Sequence, residues 1–249
     1  MKSRRCVRQS ETIAMYKEFA KVYDHLSEEK DYAKEVLFCR SYFTDPPKTI
    51  LDIGCGTGSH LKEFHILNSV HSVGVDPCKE MISVAKKKGI PNCTLHAGMV
   101  YDIPDKNFDL AVSFFNVVNH IEDYPTLRKT FRSIYSKVRS GGHFLFDCWN
   151  GAAFFMDPPQ VKTVVTSRGT YTYEPFMDYL NSNILMNVLL KDNSGKVVTS
   201  KLSHTLWTTF FLKSLLLDVG FQSVDIYKHF TLERAVGTEH KLSFVCEKG

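Results

Sequence analysis

The stretch Ile50-Leu51-Asp52-Ile53-Gly54-Cys55-Gly56-Thr57-Gly58-Ser59-His60-Leu61 constrains this chain more than any other. Ile50, Leu51 and Ile53 supply the short apolar run of a central parallel strand. Gly54, Gly56 and Gly58 permit a turn with φ > 0 and leave no Cβ in the way of a ligand. Thr57 or Ser59 can cap the helix that follows, whose first amides would face the same space. A strand, a glycine turn and a helix in this order bind a nucleotide-like ligand at the carboxyl end of the strand.

Two ligand classes compete for such a turn. A dinucleotide fingerprint reads Gly-x-Gly-x-x-Gly, because a pyrophosphate sits on the helix N-terminus. Here the third glycine comes one residue early, and Ser59 stands in the expected place. Asp52, two residues before the first glycine, would repel a pyrophosphate and would suit an ammonium group. Both features favour S-adenosylmethionine, a nucleoside with an amino-acid tail and a sulfonium. Asp76 ends the next expected strand, near the ~20-residue interval at which an acid meets ribose hydroxyls. With Pro77 after it, Asp76 could instead start a helix; its place after a glycine loop and a strand favours the ribose role.

The rest of the chain alternates. Apolar spacing predicts helices over 11–26 and 31–42, with a break at Asp45-Pro46-Pro47 before the first strand. Tyr16, Tyr23 and Tyr32 read as helix packing or as a lid over the ligand. Strands are expected at 50–53, 72–76, 93–96, 108–115 and 143–149, with helices from 59, over 78–88 and over 124–138. The end of the fourth strand delivers Phe115, Asn116, Asn119 and His120 to the face that holds the glycine loop. This rhythm predicts a Rossmann-like, doubly wound, mostly parallel sheet of seven strands. It is broken by β-rich segments at 161–165, 169–173, 183–190 and 197–204, which predict an antiparallel insertion. A helix at 208–218 and strands at 222–230 and 242–247 return to the main sheet. The expected division is an N-terminal helical lid over 1–45, a cofactor-binding core over 46–150, the insertion over 151–206 and completion of the core over 207–249. Residues 1–10 are polar, basic and expected to fray.

Composition excludes other classes. A net charge of +4 from scattered lysines and arginines is no nucleic-acid footprint. The one basic cluster, Lys86-Lys87-Lys88, complements a helix dipole. No apolar segment follows Met1-Lys2-Ser3-Arg4-Arg5, and no run approaches the ~18 apolar residues of a membrane span. Seven cysteines without a Cys-x-x-Cys pair suggest reduced thiols and a cytoplasmic setting. The histidines lack metal-ligand spacing, so no metal is expected.

The glycine-loop motif, with Asp76 after the next strand and residues 215–221 before two final strands, resembles the class I S-adenosylmethionine-dependent methyltransferases. Ala20-Lys21-Val22-Tyr23-Asp24, Asp31-Tyr32, Asn119-His120 and Phe146-Asp147-Cys148-Trp149-Asn150 narrow the resemblance to small-molecule enzymes related to nucleotide-linked aminosugar N-methyltransferases. The resemblance implies that Asp52 and the backbone of Gly54, Cys55, Gly56 and Gly58 hold the methionine part. Asp76 with Pro77 would hold the ribose, Met81 the adenine edge, and Tyr23 and Tyr32, with Tyr16, would close over the methionine end. Phe115 and Asn116 complete the cofactor set. In that family the insertion roofs the substrate pocket and often helps to form dimers, which leaves a homodimer open. One departure stands out: where the family usually has Gly-Asp after the third strand, this chain has Gly98-Met99, and Asp102 follows three residues on.

Methyl transfer from a sulfonium is a direct displacement, so alignment does most of the work, with a ceiling of roughly 7–11 kcal/mol. An amine or hydroxyl acceptor must also lose a proton, which calls for a base near the pocket. His120 is the candidate base and Tyr23 a second contributor; Asn119, Asp147, Trp149 and Asn150 are candidates to line the acceptor site. The expected reaction methylates an amine or hydroxyl of a small molecule, with a sugar or sugar nucleotide among the options. The alternatives are a non-catalytic protein that retains the fold, which Met99 leaves open, and a dinucleotide-dependent oxidoreductase.

Overall fold

The computed structural model describes residues 13, 15–17, 19–20, 23–27 and 30–249, except 105 and 168. The segment expected to fray, 1–10, lies outside the described residues. The helix expected over 11–26 is not continuous: residues 13, 15–17 and 19 are helical, Ala20 turns, and Tyr23–Leu26 forms a short separate helix. The second helix, α1 (Tyr32–Arg40), starts where the Asp31 carboxylate accepts the Lys34 N–H, an N-cap at 2.9 Å.

The strands are β1 (Thr49–Ile53), β2 (His71–Asp76), β3 (Cys93–Ala97), β4 (Phe108–Ser113) and β5 (Val138–Trp149). Between and after them run α2 (Ser59–Asn68), α3 (Lys79–Lys87), α4 (Tyr124–Lys137) and α5 (Gly151–Met156). The insertion comprises β6 (Lys162–Thr166), β7 (Gly169–Asp178), β8 (Asn183–Asp192) and β9 (Val197–Thr205). The chain closes with α6 (Thr209–Val219), β10 (Ser223–Lys228) and β11 (Lys241–Glu247). Two boundaries differ usefully from expectation. β4 stops at Ser113, because Phe115 and Asn116 take left-handed backbone angles (φ 71° and 59°) that no ladder accommodates. β7 runs on to Asp178 as a full partner of β8, so the insertion's hairpin is longer than its sequence signal.

The main sheet has the order β10-β11-β5-β4-β1-β2-β3, parallel except for β11, which runs against both of its neighbours. Strand order reverses between β1 and β4, so their carboxyl ends flank the crevice where open α/β sheets bind ligands. Helices cover both faces. On one, Leu127 and Phe131 of α4 and Leu212 and Leu216 of α6 pack on Phe144, Phe146 and Phe244. On the other, Val36 and Phe38 of α1 and Phe64 of α2 pack on Ile50, Leu110 and Leu145. The insertion forms a separate antiparallel sheet, β6-β7-β8-β9. Met15 and Phe19 of the N-terminal helical segment pack against its Tyr171, Val188 and Leu202. Among the described residues no helix is long and apolar enough to cross a membrane.

Candidate active site

The crevice holds a cleft of about 1030 Å³. The glycine turn forms its floor. Gly54 and Cys55 donate N–H groups to the Val75 carbonyl at 2.8 and 3.1 Å, which fastens the turn to β2. Gly56 has φ 53° and nothing within 4 Å of the position its Cβ would take, so a ligand can reach its backbone. Gly58, at φ 76°, is the N-cap of α2 and makes no side-chain cap. Neither Thr57 nor Ser59 serves as the expected cap. Both hydroxyls instead reach Asp24, at 2.5 and 3.3 Å, and Lys88 binds the other Asp24 oxygen at 2.9 Å. Lys88 also donates to Ser59 Oγ at 2.9 Å. The N-terminal segment is thereby stapled to the glycine turn through Asp24. The basic cluster contributes an ion pair as well as a dipole complement.

Asp52, on β1 just before the turn, is 1% exposed and does not line the cleft, and its Oδ2 has no hydrogen-bond partner among the described residues. Burial pushes its carboxyl up to about 7; nearby His60 opposes the rise and Asp76 adds to it. Asp76 lines the cleft, with one oxygen on the Gly56 N–H (3.0 Å) and the other on the Cys78 N–H (2.7 Å). Burial raises its carboxyl to about 6, against the pull of those two amides. Each oxygen keeps a lone pair for a hydroxyl. Replacing Asp76 by alanine removes an acceptor pair and the tie that holds Gly56. We expect affinity for S-adenosylmethionine to fall about tenfold or more, read by calorimetry, with the circular dichroism spectrum unchanged; unchanged affinity would remove the ribose assignment.

Tyr16, Tyr23, Pro77, Met81, Gly98, Met99, Phe115 and His120 also line the cleft. Asp102 does not stand in for the missing acid at Met99: its Oδ2 accepts the Met99 N–H at 2.9 Å and caps its own turn. Cys55 packs its side chain on Leu61 and Ile82 and faces the core. Tyr32 lies edge-on to His60, 4.8 Å between ring centres. His60 in turn bonds buried Glu35 at 2.6 Å, and Glu35 pairs with Lys30. The Lys30 Nζ lies 4.6 Å from the centre of the Phe115 ring. This buried Lys30–Glu35–His60 chain carried no periodic or spacing signal in the sequence.

His120 accepts a hydrogen bond at Nε2 from the Tyr16 hydroxyl, 2.9 Å away. Burial drives its imidazole down to about 4, opposed by the Ser203 carbonyl, so it is neutral at pH 7. Burial likewise raises the Tyr16 hydroxyl well above its ordinary value, so it stays protonated, and the ring tautomer that turns its N–H to the Ser203 carbonyl leaves Nε2 to accept from it. The structure puts Tyr16 against His120, and Tyr23, the other candidate contributor, lies edge-on to Tyr16 and Phe115. His120 also meets His204 of β9 with ring centres 4.4 Å apart and planes tilted by 40°, and His204 meets Trp149 at 4.3 Å and 31°. His204, from the insertion, was missed because nothing near it in the sequence marks it.

Of the other acceptor-site candidates, Asn119, Asn150 and Asp147 are tied down, while the Trp149 Nε1 is buried with no hydrogen-bond partner among the described residues. Asn119 is fully buried, donating to the Thr205 carbonyl (2.8 Å) and accepting the Trp149 N–H (2.8 Å), so it clamps β9 to β5. Asn150 donates to the Gly237 and Glu239 carbonyls and accepts from Thr209. Asp147 accepts the Asn116 N–H at 3.0 Å and meets His229 Nε2 at 3.1 Å. Burial would raise its carboxyl, yet the His229 bond and charge hold it below the usual range. These polar groups are engaged on the protein itself. Among the described residues no cluster of histidine, cysteine and carboxylate could hold a metal ion.

Residues 50–142 match the family model described as a methyltransferase domain. The chain is 31% identical over 137 residues to dTDP-3-amino-3,4,6-trideoxy-alpha-D-glucopyranose N,N-dimethyltransferase of Streptomyces venezuelae, covering 52% of this chain and 56% of that protein. It is 27% identical over 139 residues to dTDP-3-amino-3,6-dideoxy-alpha-D-glucopyranose N,N-dimethyltransferase of Streptomyces fradiae, covering 53% of each. The chain therefore spans about half the length of these curated relatives. A solved S-adenosylmethionine-dependent methyltransferase from Clostridium acetobutylicum superposes with a TM-score of 0.78 at 20% identity, over 94% of this chain and 99% of that one. The fold is that of the S-adenosylmethionine-dependent methyltransferases.

Proposed function

We propose that this chain, whose residues 50–142 form a methyltransferase domain, methylates an amine or hydroxyl of a small molecule, with S-adenosylmethionine as donor. The observation that carries the reading is the glycine-floored cleft together with Asp52, on the strand that leads into the glycine turn, buried and with one oxygen unpartnered among the described residues. A buried carboxylate oxygen without a partner is costly and calls for a complement. An ammonium group supplies one and a pyrophosphate does not, which counts against a dinucleotide ligand. Asp52 and the turn backbone would hold the methionine end, Asp76 the ribose, and Met81 and the Met99 backbone the adenine. Bound S-adenosylmethionine supplies a methyl group already activated on a sulfonium. The rings of Tyr16, Tyr23 and Phe115 border both this cleft and a second cavity beside it. Aromatic faces there favour a cationic centre, and His120, neutral, would hold the acceptor's proton-bearing group through Nε2 in exchange for its bond to the Tyr16 hydroxyl.

Similarity to an aminosugar dimethyltransferase makes a sugar amine the first acceptor to compare with others. Titration calorimetry with S-adenosylmethionine tests the reading directly. We expect a saturable one-to-one heat, and no response to a nicotinamide dinucleotide; no heat with S-adenosylmethionine would sink it.

A further inference from the structure

We infer that the acceptor is an amine with an apolar body, aromatic or aliphatic, rather than a hydroxyl-rich one. The inference rests on the methyl-transfer reading and deepens it. A second cavity of about 520 Å³ adjoins the cofactor cleft and shares Tyr16, Tyr23 and Phe115 with it. A group held in that cavity can therefore present a nucleophile between the shared rings, where the methyl donor lies. The deeper wall is made by Met15, Phe19, Val188 and Leu202, all buried and contributed by the N-terminal helical segment and by β8 and β9.

No charged side chain lines this cavity among the described residues. Among those residues its side-chain polar groups are the four hydroxyls of Tyr16, Tyr23, Ser27 and Tyr173, and two of them are engaged. The Tyr16 hydroxyl is committed to His120, and Ser27 bonds Tyr32. The several hydroxyls of a bound sugar ring would lose water and find only the Tyr23 and Tyr173 hydroxyls as partners, and a polar group buried without a hydrogen bond is penalised. An apolar body of matching size gains the wall's surface instead. The reacting amine sits at the shared end, beside His120 and the tyrosines, where a partner exists. The insertion thus sets acceptor choice through its inward apolar side chains, with Val188 and Leu202 as the specificity-determining positions.

The test compares phenethylamine with glucosamine, both primary amines, by calorimetry on the full chain saturated with S-adenosylhomocysteine. We expect phenethylamine to bind about tenfold more tightly or better. Val188→Thr, which keeps volume, and Leu202→Asn should each weaken phenethylamine about fivefold or more while leaving the S-adenosylhomocysteine heat unchanged. Tighter binding of glucosamine, equal binding, or no heat from either amine overturns the inference and leaves the donor reading intact. Failure of S-adenosylhomocysteine itself to bind takes down both.

Discussion

Replacing Asp52 by asparagine is expected to stabilise the protein and, at the same time, to weaken its hold on S-adenosylmethionine about a hundredfold. Both effects come from one carboxyl. In the folded chain burial raises it from 3.8 to about 7, so between those values the folded state keeps a proton that the unfolded chain has released. Stability contributed by this group therefore falls as pH rises through that window, and above pH 7 the folded chain carries the full cost. That cost has a ceiling on the order of 4 kcal/mol. Asparagine removes it. Each kcal/mol recovered is worth roughly 2–4 °C of melting temperature for a chain of this size. The gain in Asp52→Asn should be largest near pH 8, shrink towards pH 5 and vanish near the unfolded value of 3.8. Binding runs the other way. The ligand's ammonium pairs with the ionised form, so wild-type affinity should rise about tenfold per pH unit from pH 5 to 7 and then level. Melting curves and calorimetry at pH 5 and 8 decide it. A lowered melting temperature with unchanged affinity would make Asp52 structural.

The glycine floor of the cleft was legible in the sequence, and the side-chain pairs around it were not. Asp52, the three glycines and Asp76 act through backbone geometry and spacing along consecutive elements, and both leave a local mark. Strand alternation likewise fixes which ends meet in the crevice, so Phe115 and His120 could be placed there before any side chain was located. Long-range side-chain pairing leaves no such mark. Lys88 reaches Asp24, His60 reaches Glu35 and His204 reaches His120 across elements far apart in the chain. Nothing in the local pattern of either partner announces the other. Asn119 and Asn150 show the converse. Polar residues at strand ends look functional in sequence, yet here they satisfy buried carbonyls that would otherwise be orphaned. The left-handed pair Phe115 and Asn116 lies between these cases. Two strained non-glycine residues in succession are invisible in sequence, and they set the Phe115 ring, 40% exposed, at the boundary of the two cavities.

His120→Ala is expected to cost about a hundredfold in kcat with S-adenosylmethionine affinity unchanged. The size follows from the environment. General-base catalysis contributes 10²–10⁴-fold, at its best when the base titrates near the working pH. Burial puts His120 at about 4, so it is a weak base, and the loss belongs at the low end of that range. What it retains is direction. Its neutral Nε2 accepts from Tyr16 at 2.9 Å, and an acceptor amine or hydroxyl entering between the shared rings can take that place. The pH profile separates this role from that of an ordinary exposed histidine. The neutral form persists above its pKa, so kcat at saturating cofactor should stay flat from pH 8 down to about 5 and fall only below that. A fall centred near 6.5 would mean that His120 titrates as a solvated base. Tyr16→Phe completes the argument. It leaves His120 buried but frees Nε2, so the flat profile should survive with a loss smaller than in His120→Ala. If Tyr16→Phe instead matches His120→Ala and shifts the profile, the hydroxyl relays the proton and the two residues act as one unit.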